Sequence, residues 1–226
     1  MFSNARKCRV FEEDFQGNLT ATLARFTQTA FAGTLKVTSV ANIVGMLSFQ
    51  NNSPNGTTRG IVCLGASETA AEMQLSNFRY LGVRLRPVAS SIAVDTGFQI
   101  GLVAGASFAG YGAGTAGLSS TSIGLWWQYR TDASSGEWVA GTRQGGSDSS
   151  TASGTVVAAN TIYDLEIFRD VSGNLYYYLD GTLVRTDSTA GTLALAGGAT
   201  FYFTQIGSTT ATRSIAIDWV RIVSSV

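Results

Sequence analysis

The stretch "NLYYYLDGTLVRT" at 174–186 constrains the fold more than any other part of the chain. Two apolar runs flank Asp180-Gly181, a dipeptide that tolerates positive φ at both centres of a two-residue turn. Such a sequence reads as an antiparallel hairpin. Just upstream, "TIYDLEIFRD" (161–170) alternates Tyr163, Leu165 and Ile167 with Asp164, Glu166 and Phe168, the period of a strand with one buried face. "TFYFTQI" (200–206) and "SIAIDWVRIV" (214–223) continue the pattern toward the end of the chain. Less regular strands are predicted at "GTLKVTSV" (33–40), "VGMLSFQ" (44–50), "RGIVCLG" (59–65), "FRYLGVRLRPV" (78–88) and "GFQIGLVAG" (97–105).

Strands recurring at this spacing imply an all-β chain, and the helical alternative is confined to "SETAAEM" (67–73). In 214–223, Ile215, Ile217, Trp219 and Val223 alternate with Ala216, Val220 and Ile222, so both faces are apolar. That predicts a central strand covered on both sides, with Asp218 on the face of Ala216, Val220 and Ile222 and in need of Arg or backbone donors. Two packed antiparallel sheets satisfy these patterns. The 26 glycines, 2 prolines and scarcity of lysine (only Lys7 and Lys36) suit twisted strands joined by polar turns. No internal repeat or break in composition divides the 226 residues. The expectation is a single β-sandwich domain over 1–226, with 1–10 either an N-terminal arm or an edge strand.

Charge and composition exclude several functions. The formal net charge is zero, so there is no basic excess with which to neutralise phosphates, and nucleic acid is not expected as a partner. The start "MFSNARKCRVF" lacks the apolar run of a secretory signal, and Lys36 and Asn42 interrupt 31–49, so no membrane partner is expected. Cys8 and Cys63 read as two unpaired buried thiols rather than a disulfide framework. With no histidine, Ser-His-Asp and Cys-His catalysis and His-ligated metals are ruled out. "GAGTAG" (112–117) is followed by a strand-like run rather than a helix, so it is no dinucleotide site, and Ser107 in "GASFA" has no base to activate it. No catalytic, cofactor-binding or metal-ligating residue is assigned. Asp132, Asp148, Asp180 and Asp187 lie in or near turns, where Asx turns are the default, and leave room only for a structural calcium ion.

The aromatic segment "GLWWQYRTDASSGEWVAGTRQGG" (124–146) has two readings. Trp126, Trp127, Tyr129 and Trp138 are the candidate glycan contacts, since exposed indoles and phenols stack on sugar rings. The competing reading, which is favoured, is cross-strand packing. Trp126 and Trp127 must point to opposite faces of a strand, and Tyr129 and Trp138 should face each other across a hairpin. Arg143 is expected to bond loop carbonyls or to pair with Asp132.

The segment 123–223 carries "W-x-A-x-T-R-x-G-G" (Trp138, Ala140, Thr142, Arg143, Gly145, Gly146), "Y-x-L-x-I", "Y-x-D-G-x-L-V" and "T-T-A-T-R" before "I-D-W-V". It resembles concanavalin A-like jelly-roll domains of tailed-bacteriophage structural proteins. The resemblance implies a two-sheet antiparallel jelly-roll sandwich, the concanavalin A-like lectin/glucanase fold. It also implies a non-enzymatic virion protein attached to the capsid, as decoration, cement or head fibre, or to the tail. Other virion proteins would then be the partners, and a homo-oligomer, a trimer by virion symmetry, is expected. The partner-binding arm would be Phe2, Arg6, Lys7 and Arg9 with Phe11, basic residues meeting an acidic surface beside apolar anchors. The alternative is a lectin-like receptor-recognition module using the four aromatics above. Glucanases of this fold carry E-x-D-x-x-E on one strand; neither "DLEIFRD" (Asp164, Glu166, Asp170) nor "EEDF" (Glu12, Glu13, Asp14) matches.

Overall fold

The computed structural model describes residues 8–13, 26–28, 33–37, 47–51, 59–64, 73–88, 97–104, 123–130, 136–144, 147–188, 198–206 and 213–225. In chain order the strands are β1 (Cys8–Glu13), β2 (Phe26–Gln28), β3 (Gly33–Val37), β4 (Leu47–Asn51), β5 (Arg59–Leu64) and β6 (Met73–Gln74). After a 3-10 turn at Leu75–Asn77 come β7 (Phe78–Pro87), β8 (Gly97–Ala104), β9 (Ile123–Arg130), β10 (Glu137–Gln144) and β11 (Ser147–Val156). The series closes with β12 (Tyr163–Arg169), β13 (Leu175–Leu179), β14 (Thr182–Asp187), β15 (Gly198–Ile206) and β16 (Arg213–Ser225). Among the described residues no helix is long and apolar enough to cross a membrane.

The strands form two eight-stranded sheets, and every pairing among them is antiparallel. Sheet A runs β14-β13-β12-β7-β16-β4-β3, with β1 lying beside the far end of β16. Sheet B runs β11-β10-β9-β8-β15-β5-β2, with β6 against the start of β15. Alternation decides which side chains enter the gap between them. From sheet A come Leu81, Val83, Leu85, Leu165, Ile167, Tyr177 and Ile222; from sheet B come Phe98, Ile100, Leu125, Trp127, Trp138 and Phe203. Each is nearly inaccessible to solvent. Burying such a side chain stabilises the fold by about 1.5–3 kcal/mol.

The hairpin expected at Asp180-Gly181 forms between β13 and β14, with φ of 49° and 75° at the two central residues. A second turn, Asp170–Asn174, joins β12 to β13. The Asp170 carboxylate accepts from the Asn174 backbone N–H (2.8 Å) and side-chain amide (2.7 Å) and from the Tyr176 hydroxyl (3.1 Å). The Asn174 amide first, then the other donors, hold the Asp170 pKa below its ordinary value. Because the folded carboxyl titrates below the unfolded one, its stabilisation is complete above the ordinary value of 3.8. It is lost as pH falls below that through the depressed folded value. Asp170→Asn is therefore expected to lower the melting temperature at neutral pH and to match wild type at about pH 2, as read by thermal unfolding at both pH values.

Three features depart from the sequence expectations. β11, "SDSSTASGTV", is an edge strand almost wholly exposed, so it shows no apolar period to find. Cys8 is exposed, in β1 of sheet A, whereas Cys63 belongs to β5 of sheet B. The third is a register shift in β16 between Ile217 and Trp219. Upstream of it Ile215 and Ile217 are core residues; downstream the inward set is Val220 and Ile222. Apart from Ala216, which is buried on the opposite face, the two apolar phases seen in the sequence are one inward face that changes parity at a β-bulge. Asp218 is only half-buried, and Trp219, Arg221 and Val223 lie on the outer side of sheet A.

At the β11–β14 side a polar cluster closes the sandwich. Arg185 of β14 donates to Asp187 Oδ2 (2.8 Å), to Ser149 Oγ (2.9 Å) and to Thr151 Oγ1 (3.1 Å), so one guanidinium joins the two sheets. The Thr142 hydroxyl also donates to Asp187, and Tyr177 donates to the Gly141 carbonyl at 3.0 Å.

Candidate functional site

The aromatics singled out in the sequence are interior. Trp126, Trp127, Tyr129 and Trp138 retain 1%, 1%, 2% and 0% of their surface. Tyr129 stands opposite Trp138 across the β9–β10 pair, as expected. Trp127 meets Tyr177 edge-on at 6.0 Å and donates its indole N–H to the Glu166 carbonyl (3.1 Å). Trp126 points to the other face of sheet B and is buried there as well. The correction is physical: side chains with no surface offer a sugar no platform. Of the arm residues, Phe2, Arg6 and Lys7 lie outside the described residues. Arg9 is placed within β1, opposite Ser224, and Phe11 packs against the core rather than projecting toward a partner.

Several of the carboxylates weighed in the sequence have protein partners. Asp148 pairs with Arg143 (2.7 Å); Asp132, the partner expected for Arg143, lies outside the described residues, as do Asp14, Ser107 and "GAGTAG". Asp180 accepts the Asp164 backbone N–H at 2.7 Å. Among the described residues no three acids or cysteines gather where they could hold a metal ion.

The outer face of sheet A is different. The register aligns its outward residues in rows across the strands. Asp164, Arg84 and Trp219 form one row, from β12 through β7 to β16. The next is Tyr178, Glu166, Gly82, Arg221 and Glu12; beyond it lie Tyr176, Phe168, Tyr80, Val223 and Val10. Arg84 grips Asp164 with both arms of its fork (2.7 and 2.8 Å), and its guanidinium carbon sits 5.8 Å from the Trp219 ring centroid. The bond to Asp164 raises the Arg84 pKa further, so its charge is permanent. Tyr80 leans over Gly82 and donates to Glu166 Oε1 at 2.6 Å. A Cβ at Gly82 would meet the Tyr80 hydroxyl, so a larger residue there would displace the phenol from this position. Burial, then the Glu166 bond, raise the Tyr80 pKa, so the phenol stays protonated and is a donor rather than a nucleophile.

These residues line an open cleft of about 490 Å³ bounded by Glu12, Tyr80, Asp164, Glu166, Gly181, Trp219 and Arg221. That size matches small-molecule sites. The walls combine an indole, a phenol, carboxylate acceptors and guanidinium donors. The β-bulge at 217–219 creates the site by turning Trp219 outward. The parity change in the apolar set, from Ile215 and Ile217 to Val220 and Ile222, is the sequence signal that marks it.

No protein-family model matches the sequence, and neither does any curated protein sequence. Solved structures do match. The carbohydrate recognition domain of Emp46p, in its potassium-bound form, superposes with a TM-score of 0.63 at 13% identity, covering 93% of this chain and 94% of that one. The lectin UEA-II, complexed with galactose, gives 0.63 at 14% identity over 96% and 98%. This is the concanavalin A-like sandwich fold. Apo Crh5 transglycosylase shares it too, at a TM-score of 0.60 and 12% identity over 94% of this chain and 83% of that one. Identities this low carry the architecture alone. Nothing in the three likenesses points to a phage origin.

Proposed function

We propose that the chain is a non-catalytic carbohydrate-recognition module that holds sugar on the outer face of sheet A, with Trp219 as the stacking platform. The carrying observation is Trp219 itself. Three of the four tryptophans are buried in packing, and the fourth is half-buried at the rim of a polar cleft. A sugar ring has an apolar C–H face that stacks on an indole, and hydroxyls that suit carboxylate acceptors and guanidinium donors at its edge. The lectin and the carbohydrate recognition domain among the structural neighbours support this reading.

Binding is favoured over hydrolysis by how the carboxylates are held. Asp164 and Glu166 stand two residues apart on the outward face of β12, a backbone spacing of about 7 Å, so it is their partners that argue against an acid–base pair. Asp164 is clamped by Arg84, and Glu166 already accepts from Tyr80. The virion setting, the trimer and attachment to capsid or tail rest on the sequence resemblance alone.

A glycan panel probed with wild type and Trp219→Ala tests the proposal. Wild type is expected to bind at least one neutral glycan, and the variant to lose about tenfold in affinity with little change in melting temperature. Equal binding by both proteins, or no glycan bound by wild type, contradicts it.

A further inference from the structure

Beyond the cleft, the aromatic residues continue across the sheet in an order that a single sugar ring does not need. Trp219, Tyr80, Phe168 and Tyr176 stand on four successive neighbouring strands, β16, β7, β12 and β13. The first lies in the row of Arg84 and the last two in the row of Val223, two pleat repeats further along. Tyr80 starts from that far row and leans over Gly82 toward the middle one, so it fills the intermediate step. Phe168 keeps 43% of its surface, and its ring lies 6.2 Å from that of Tyr176. We infer that this diagonal is a binding track for an extended, uncharged glycan chain, with Trp219 at one end and the Phe168–Tyr176 pair at the other.

The inference rests on the carbohydrate reading above and adds chain length and charge to it. Three strand spacings across and two pleat repeats along give a track of about 20 Å, several sugar rings long. The stripe lies outside the core, which fills the opposite side of the sheet. Charge selects the ligand. Arg84 is matched by Asp164, and Arg221 faces Glu12 at 3.7 Å, which leaves the Glu166 carboxylate in the middle of the track. A uronic-acid or sulfated chain would meet that carboxylate where Arg84 and Arg221 already face Asp164 and Glu12, whereas neutral hydroxyls can donate to it.

The test is calorimetric titration of the full chain with neutral gluco-, manno- and chito-oligosaccharides of one to six units, and with oligogalacturonides as the charged counterpart. Affinity is expected to rise with length and level off at about four units, the length that covers the track. Phe168→Ala is expected to weaken the tetramer about three- to tenfold and to leave the disaccharide unchanged; Trp219→Ala weakens both. Phe168 is exposed, so its removal leaves the core intact, and a melting curve checks this. Equal affinity for one and four units, or a Phe168→Ala variant that binds the tetramer like wild type, overturns the track while leaving the Trp219 site standing. Tighter binding of oligogalacturonides overturns its neutral character. Binding of no sugar overturns both.

Discussion

Replacing Asp187 by alanine is expected to lower the unfolding free energy by about 3–5 kcal/mol, measured by urea denaturation. The Arg185–Asp187 pair is 2.8 Å long, with 9% and 6% of the two side chains exposed. Without Asp187 the guanidinium keeps its charge in a site that has lost its counter-ion, and the Thr142 hydroxyl loses an acceptor. The effect should be large for that reason, rather than because the ion pair is itself strongly stabilising. A double replacement, Arg185→Met with Asp187→Leu, is accordingly expected to recover most of the loss. The outer-face pair gives the contrast. Arg84 and Asp164 are 40% and 31% exposed, so Asp164→Ala should cost no more than about 1 kcal/mol. Equal losses at the two sites would contradict the claim that the Arg185 cluster ties the sheet edges together.

Trp138→Ala is expected to cost a further class of stability, about 3–5 kcal/mol, while leaving sugar affinity unchanged in the protein that remains folded. The Trp138 ring meets Phe98 at 5.0 Å, Tyr163 at 5.4 Å and Tyr129 at 6.3 Å, so it joins β8, β9, β10 and β12 in one aromatic cluster. Alanine would leave a cavity among rigid rings that cannot close over it. Trp138→Phe should cost much less, because its indole N–H has no hydrogen-bond partner among the described residues and only ring volume is lost. Trp219→Ala should behave in reverse, with affinity lost and stability kept. Together the two variants separate cohesion from recognition in residues of the same type.

The architecture was legible because most strands bury one face and expose the other. Tyr163, Leu165 and Ile167 announce β12, and Asp180-Gly181 announces the turn after β13, without any knowledge of their neighbours. β11 was hidden for the complementary reason: an edge strand of Ser, Thr, Ala and Gly with neither face buried has no alternation to read. The site was hidden by a bulge. Continuous alternation puts Trp219 with Ile215 and Ile217, and only the register shift after Ile217 sends it outward. The denser aromatic signal at Trp126, Trp127, Tyr129 and Trp138 marks burial rather than a surface, three of them in the sandwich core and Trp126 on the other face of sheet B. The rows that place Asp164, Arg84 and Trp219 together join residues far apart in sequence, which no local pattern encodes.

The most direct test follows the four indole N–H resonances of the 15N-labelled protein during titration with a neutral oligosaccharide selected on the glycan panel. The Trp219 signal, assigned by its absence in Trp219→Phe, is expected to shift with saturation while those of Trp126, Trp127 and Trp138 stay in place. Saturable binding that moves the three interior signals and leaves Trp219 untouched would contradict the account.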